Sequence, residues 1–288
     1  DRDWSSDVCS SDLHTSFKLL AVSTFVVCFA YYWRIYNIFN TVPGYDDVLE
    51  VVWGIMWYDQ AFSELINPFY YPYAFHPEGW PTAIVAHTPL LFIVAQPFNW
   101  IGGPVFAFNA ITILSFITAY IGAIKYFSQF TKSHAVTLLL AAAFTFMTAR
   151  SVRAISGHIN ILWATSFLPL LAFHLHRWYL KDETRVWHRE LLWVGICWGA
   201  MISFSLYGIF LAPLMFLLLE RKLWDRKIFL QLPLVTFIGL IVGSSAILPY
   251  FLSSRNVSIE NPNFHHLVSW GASLDKIFTP NALHPMLF

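Results

Sequence analysis

Three acidic side chains lie close together directly after the first long apolar stretch of this 288-residue chain. Asp46, Asp47 and Glu50 are followed by apolar residues at helical spacing, namely Val48, Val51, Val52, Ile55 and Met56. A carboxylate at a lipid–water boundary can take a proton from a substrate hydroxyl. The same residues also fit a structural role, with Asp47 as an N-cap and Glu50 as its capping-box partner. The sequence leaves both roles open.

Two arginines and a histidine in a later polar segment could supply the opposite charge. Arg150, Arg153 and His158 lie between two apolar stretches. The arginine fork matches phosphate oxygens, although arginines at a membrane surface also bind lipid headgroups. His158 and His87 fit ordinary polar contacts as well as chemistry, and Glu78 fits a turn. We keep all five as candidate site residues.

The composition places these residues in a membrane protein. Apolar residues are 57% of the chain, charged residues are 12%, and the mean hydropathy is +0.55. The formal net charge is zero, so there is no electrostatic case for a nucleic-acid partner. Three cysteines, two of them within apolar stretches, indicate no disulfide framework.

The apolar stretches predict an all-α polytopic membrane protein with about seven transmembrane helices. We expect them at 19–39, 105–124, 135–148, 159–175, at two short helices within 191–219 that are broken near 203–208, and at 229–252. Prolines interrupt the segment 83–100, which we therefore expect to be an interfacial helix in the first outer loop.

The distribution of basic residues predicts the orientation. Residues 35–124 contain no lysine or arginine, whereas Lys125, Lys132 and the segments 177–189 and 221–227 are basic. By the positive-inside rule, the acidic loop after the first span is extracytoplasmic.

We expect both ends of this sequence to differ from the ends of the natural protein. Residues 1–13 resemble the translation of a sequencing-library adapter, being polar and without helical periodicity, and we exclude them from the fold. Residues 14–288 form the transmembrane module, which we expect to be a fragment that lacks its C-terminal part.

The order of several short motifs resembles the GT-C glycosyltransferase superfamily. The resemblance is to its protein O-mannosyltransferase and aminoarabinose transferase branch, and within it to bacterial membrane glycosyltransferases. The matching residues are Asp47 with Trp53, His76-Pro77-Glu78-Gly79, Thr88-Pro89-Leu90, Gly157-His158, and Pro280 with His284-Pro285. Tyr45 separates Gly44 from the aspartates, so Asp46 and Asp47 compete for the family position. The spacing to Trp53 favours Asp47.

This resemblance implies a polyprenyl-phosphate sugar donor and an extracytoplasmic acceptor whose identity stays open. Asp47 is then the general base, Asp46 the second candidate, and Arg150, Arg153 and His158 the donor-phosphate ligands. We expect inverting transfer without a metal cofactor. A divalent cation held by the three carboxylates at 46–50 is the alternative, as in the oligosaccharyltransferase branch. The location implied is the bacterial inner membrane, with the active site facing the periplasm.

Two other classes of protein remain open. A non-enzymatic transporter or lipid flippase would place ionisable groups near the middle of its spans. A lipid-linked-sugar polymerase or ligase would use arginine and histidine in a large late loop. The carboxylates after the first span favour the glycosyltransferase.

Overall fold

The computed structural model describes residues 22, 25, 37–44, 47–73, 79, 89–180, 184–211 and 231–254. Three candidate site residues, Asp46, Glu78 and His87, lie outside these ranges. The helices of the described part are α1 (Asp47–Ser63), α2 (Pro89–Phe127), α3 (His134–Thr145), α4 (Thr148–Ile155), α5 (Ile159–Ser166), α6 (Leu168–Leu180), α7 (Thr184–Phe204) and α8 (Leu232–Ser254). The prediction of an all-α protein is confirmed for these residues.

The described residues contain fewer membrane spans than the sequence predicts. Three helical stretches are long and apolar enough to cross a membrane: Pro89–Phe127, Ile159–Trp178 and Leu232–Leu252. The pair α3 and α4, bent by 45°, makes a fourth if it forms one broken span. These three or four helices indicate an integral membrane protein. The described residues thus show three or four candidate spans, not the seven predicted.

The smaller number of spans has a local cause in the segment 191–219, where two short spans were predicted. The α7 helix begins at Thr184 and includes Arg189 and Glu190 in its early turns, so its uninterrupted apolar length is short. It ends at Phe204, within the predicted break near 203–208. The predicted first span at 19–39 lies outside the described part apart from positions 22, 25 and 37–39, and residues 212–230 also lie outside it.

The long helix α2 is divided by a glycine. Its 39 residues would measure about 58 Å, which is far more than the hydrocarbon thickness of about 30 Å. Gly103 has φ 82° and ψ 174°, a conformation outside any helix, and Pro104 follows it. The break separates Pro89–Gly102 from a second part that begins at Pro104. It falls between the predicted interfacial helix and the predicted span at 105–124.

The first part of α2 lies beside α1. Gln96 Nε2 donates to the carbonyl oxygen of Ile55 at 3.1 Å, and Trp100 Nε1 donates to Asp59 Oδ1 at 2.8 Å. The contact residue moves forward from Ile55 to Asp59 along α1 and from Gln96 to Trp100 along α2. The two helices therefore run parallel. The end of α1 is therefore level with the break at Gly103.

The second part of α2 organises the centre of the fold. With the first part of α2, α1 and α5 it forms one apolar core, and α6, α7 and α8 form most of another. The amide of the fully buried Asn109 donates to the carbonyl oxygens of Ile38 and Thr41, both at 2.8 Å. These two bonds hold the segment that leads into α1.

The polar groups collect at opposite ends of the helices. The rings of Phe130 and His176 are 5.0 Å apart, which places the C-terminal ends of α2 and α6 together. Lys125 and Arg177 are near these ends. His158 directly precedes the stretch Ile159–Trp178, whose 20 residues separate it from Arg177 by about 30 Å.

Candidate functional site

A hydrogen-bonded chain joins three of the candidate residues. His158 Nε2 is 2.7 Å from Asp47 Oδ2, and His158 Nδ1 contacts Arg153 Nη1. Because a guanidinium only donates, Nδ1 must accept, and the ring proton is then on Nε2, directed at the carboxylate. The structure thus brings Asp47, His158 and Arg153 together from α1 and from the α4–α5 connection.

Close backbone packing fixes this arrangement. Gly157 has φ +81°, and a Cβ atom there would lie 2.2 Å from Val48 N and 2.4 Å from Asp47 C. Only glycine allows this approach in that conformation. On the other side, a Cβ on Gly44 would lie 2.1 Å from the carbonyl oxygen of Ile155. The connection between α4 and α5 is therefore docked directly on the start of α1.

Asp47 takes part in this cluster from the first described residue of α1. Residues 45 and 46, which precede it, lie outside the described ranges. The capping role of Asp47 therefore stays a prediction. Its side chain is 44% exposed and that of His158 is 25% exposed, so both are accessible to a substrate.

Glu50 lies one turn further along α1 and is half-buried. Burial, and secondarily the negative charge of Asp47, raises the pKa of Glu50 above its ordinary value of 4.5. An acid in the first turn of a helix is usually stabilised in its charged form by the helix dipole. Here desolvation is the larger effect.

Arg150 does not join the cluster. It is only 2% exposed, and its guanidinium lies over two phenylalanine rings, Phe116 at 5.6 Å and Phe144 at 5.7 Å. Its hydrogen-bond acceptors are the carbonyl oxygens of Thr145 (3.2 Å) and Leu162 (3.2 Å) and the hydroxyls of Thr165 (2.6 Å) and Ser166 (3.0 Å). A side chain with these bonds connects α3 and α4 to α5. It could reach a lipid phosphate only by breaking them.

The divalent cation that the sequence left open as an alternative has no site among the described residues. Within the described ranges, no group of three or more histidine, cysteine, aspartate or glutamate residues is arranged to hold a metal ion. Asp46, the third carboxylate of the predicted set, is outside those ranges. Transfer without a metal stays the prediction, and the cation stays its alternative.

A second polar cluster was not predicted from the sequence. Glu190 is 3% exposed, its Oε2 lies 2.6 Å from His174 Nδ1, and its Oε1 lies 3.1 Å from Arg177 Nε. These contacts join α6 to α7 at the end opposite Asp47. The available signal was an isolated acid next to a long apolar stretch, which requires a partner when it is buried.

Comparison of the chain with protein-family models, with curated proteins and with solved structures finds no match. The resemblance carried by the motifs therefore stays an expectation.

Proposed function

We propose that this chain is a membrane glycosyltransferase that moves a sugar from a polyprenyl-phosphate donor to an extracytoplasmic acceptor. The observation that carries this proposal is the hydrogen-bonded cluster of Asp47, His158 and Arg153. In it, an accessible carboxylate is joined through an imidazole to an exposed guanidinium. A transfer from a lipid phosphate requires both a base and a cation within one site.

Asp47 is the proposed general base. Its Oδ2 accepts from His158, and no hydrogen bond within the described ranges engages Oδ1. Oδ1 would take the proton of the acceptor hydroxyl while the hydroxyl oxygen bonds to the anomeric carbon of the sugar. The bond from that carbon to the phosphate oxygen breaks, with inversion at the carbon. His158 keeps the carboxylate in position for this step.

Arg153 is the proposed ligand of the leaving phosphate. Its guanidinium uses Nη1 for His158 and is otherwise exposed, so further N–H groups are available to bind phosphate oxygens. This assignment favours Arg153 over Arg150, whose N–H groups are already engaged inside the protein. The negative charge that develops on the departing lipid phosphate would be stabilised next to the proton-accepting group.

The charge distribution supports an extracytoplasmic site. Lys125 and Arg177 are at one end of the helices and Asp47 is at the other. Basic residues at membrane boundaries favour the cytoplasmic side. We therefore place the site at the outer surface of a bacterial inner membrane, where the donor's sugar would be exposed and its lipid tail held in the bilayer.

A transporter or lipid flippase is the second candidate, and the burial of Arg150 favours it. Ionisable groups inside membrane helices commonly mark a transport pathway. However, the hydrogen bonds of Arg150 go to carbonyl and hydroxyl groups of its own bundle, which is also what a structural role requires. Measured transfer of sugar separates the two candidates.

The test of the proposal is transfer of labelled sugar from a polyprenyl-phosphate donor by the protein in lipid nanodiscs. We expect Asp47→Asn to lower kcat at least about 100-fold, because the amide cannot accept the hydroxyl proton. The substitution nearly preserves size. Release of polyprenyl phosphate, measured by chromatography, gives the rate.

Asp59→Asn is the matched control, since Asp59 is also on α1 but accepts from Trp100 instead of His158. It should transfer sugar at the wild-type rate. Equal rates for wild type, Asp47→Asn and Asp59→Asn would reject Asp47 as the base. Donor translocation without sugar transfer would favour the transporter.

A further inference from the structure

The turn that ends α1 contains a leucine in an unfavourable conformation. Leu65 has φ 56° and is the only non-glycine residue with positive φ in the described part of the chain. Ile66 N donates to the carbonyl oxygen of Ala61 at 2.9 Å, and Leu65 N donates to that of Phe62 at 3.4 Å. These bonds form a Schellman motif, in which the position of Leu65 is usually glycine.

Leucine at this position contributes little to the fold. Its side chain is 92% exposed, so it buries almost no apolar surface within the protein. The left-handed conformation is also unfavourable for any residue with a Cβ atom. A large apolar side chain kept in such a place indicates an interaction outside the folded chain.

Other exposed apolar side chains lie at the same level of the molecule. Because α1 runs parallel to the first part of α2, the end of α1 is level with the last residues before Gly103. Trp100 and Ile101 there are 69% and 76% exposed. Together with Phe62, Leu65 and Ile66, they form a surface that we call the apolar tip.

The apolar tip lies where a membrane span begins. The second part of α2 starts at Pro104 and continues as an apolar helix to Lys125. The tip is therefore next to the boundary of the hydrocarbon. Tryptophan is enriched at this depth because its ring is apolar and its N–H group is polar.

The acids beside the apolar tip already accept hydrogen bonds. Glu64 Oε1 accepts from Gln60 Nε2 at 2.9 Å, and Asp59 Oδ1 accepts from Trp100 Nε1 at 2.8 Å. Such bonds reduce the free energy required to bring a carboxylate close to lipid. The tip thus combines exposed apolar side chains with polar neighbours that have partners.

We propose that the apolar tip inserts into the membrane leaflet on the side of Asp47 and anchors the end of α1 there. The occupant is the interfacial region of the bilayer itself, because the tip continues directly from a helix that crosses it. This anchoring does not depend on the proposed sugar transfer. It sets the depth of α1 relative to the membrane surface.

The test measures the depth of position 65 in the full chain. The native cysteines are replaced by alanine, Leu65→Cys carries a fluorophore, and the nanodisc lipids carry a nitroxide on the upper acyl chain. Phe237→Cys, on the exposed face of α8, calibrates contact with lipid, and Lys132→Cys, in the exposed connection between α2 and α3, calibrates water.

We expect quenching at position 65 to be about threefold stronger than at position 132 and similar to that at position 237. Quenching equal to that at position 132, with full access to aqueous iodide, would overturn the proposal. Protection from both the lipid nitroxide and iodide would also overturn it, because a protein would then cover the tip.

A second variant tests whether the leucine itself anchors the turn. Leu65→Asn keeps the turn, since asparagine tolerates the left-handed conformation, but removes the apolar side chain. With the fluorophore at Ser63→Cys, we expect nitroxide quenching to fall about twofold on introducing Leu65→Asn. Unchanged quenching would reject the anchoring role of Leu65.

Discussion

At the scale of single residues, His158 is the group that makes the cluster one unit. Its two ring nitrogens contact a carboxylate and a guanidinium that come from different parts of the chain, Asp47 and Arg153. Because Arg153 can only donate, it also determines which ring nitrogen carries the proton. A change at Arg153 would therefore affect both phosphate binding and the hydrogen bond to Asp47.

The ionisation of Glu50 predicts a dependence of stability on pH. With its folded-state pKa raised above 4.5, the folded protein binds more protons than the unfolded protein at and above that pH. The contribution of Glu50 to the free energy of unfolding therefore falls as the pH rises from the unfolded-state pKa through the folded-state pKa.

We expect Glu50→Gln to remove this loss, giving a higher thermal midpoint at pH 7 and a smaller decrease between about pH 4.5 and pH 7. Thermal unfolding in detergent at a series of pH values measures it. Glu64→Gln, an exposed position at the other end of α1, is the control and should leave the pH profile unchanged. A lower midpoint for Glu50→Gln at pH 7 would contradict the raised pKa.

At the scale of helices, the connection between α4 and α5 depends on the glycine that touches α1. Gly157 and Gly103 both have positive φ, but a Cβ atom on Gly103 would meet nothing within 4 Å. An alanine at position 103 would therefore introduce backbone strain alone, whereas an alanine at position 157 would add a steric collision.

We expect Gly103→Ala to lower the free energy of unfolding by about 1–3 kcal/mol through strain alone. Gly157→Ala should lower it by about 1–3 kcal/mol more, because its Cβ collides with the backbone of Asp47 and Val48. Chemical denaturation measures both. Transfer activity per folded molecule should be lost only in Gly157→Ala, and its retention there would show that the contact does not position His158.

Replacing each of the two arginines of α4 by methionine should have a different effect. The change at Arg150 should lower stability, and the change at Arg153 should lower activity. Arg150→Met leaves buried acceptors without a donor and should lower the free energy of unfolding by about 1–3 kcal/mol. Arg153→Met, at an exposed position, should change it by less than about 0.5 kcal/mol. Sugar transfer should fall about 100-fold in Arg153→Met.

Thermal unfolding and single-turnover transfer on the same samples measure these effects. If Arg150→Met were as stable as wild type, the hydrogen bonds from Arg150 to α5 would not stabilise the bundle. Full activity in Arg153→Met would remove Arg153 from the site and with it the proposed phosphate ligand.

At the scale of the whole molecule, the polar groups divide into two sets separated by the apolar helices. Asp47, His158 and Arg153 lie at one end, and Lys125, Arg177 and Glu190 lie at the other. Each set joins different helices, α1 to the α4–α5 connection and α6 to α7. A protein built in this way presents different chemistry to the two sides of a membrane.

This arrangement predicts the accessibility of two engineered cysteines. In a background without the native cysteines, Leu49→Cys, beside Asp47 and 62% exposed, should react with an impermeant maleimide from outside intact cells. Lys132→Cys should react only after the cells are opened. Inverted membrane vesicles should reverse the result, and labelling of both positions from one side would refute the orientation.

Properties that depend on short stretches of sequence could be predicted. Composition and apolar runs identified membrane helices, because burial in hydrocarbon scales with local apolar surface. A break before the span predicted at 105–124 was also expected from the prolines, and α2 is kinked there at Gly103, which Pro104 follows. The interfacial position of the first part of α2 stays a prediction. Within the described ranges the number of spans was overestimated, since apolar length alone does not show where a helix such as α7 begins and ends.

The tertiary structure decided which arginine is joined to the Asp47 carboxylate through His158. Arg150 and Arg153 are one helical turn apart, and no local pattern tells which of them is enclosed by neighbouring helices and which contacts His158. The contact of Gly157 with Asp47 joins residues that are distant in sequence, and it exists only when α1 and the α4–α5 connection are packed together. The sequence thus determined the types of residues and helices, whereas the site required long-range packing, because its hydrogen bonds form between segments that no local periodicity relates.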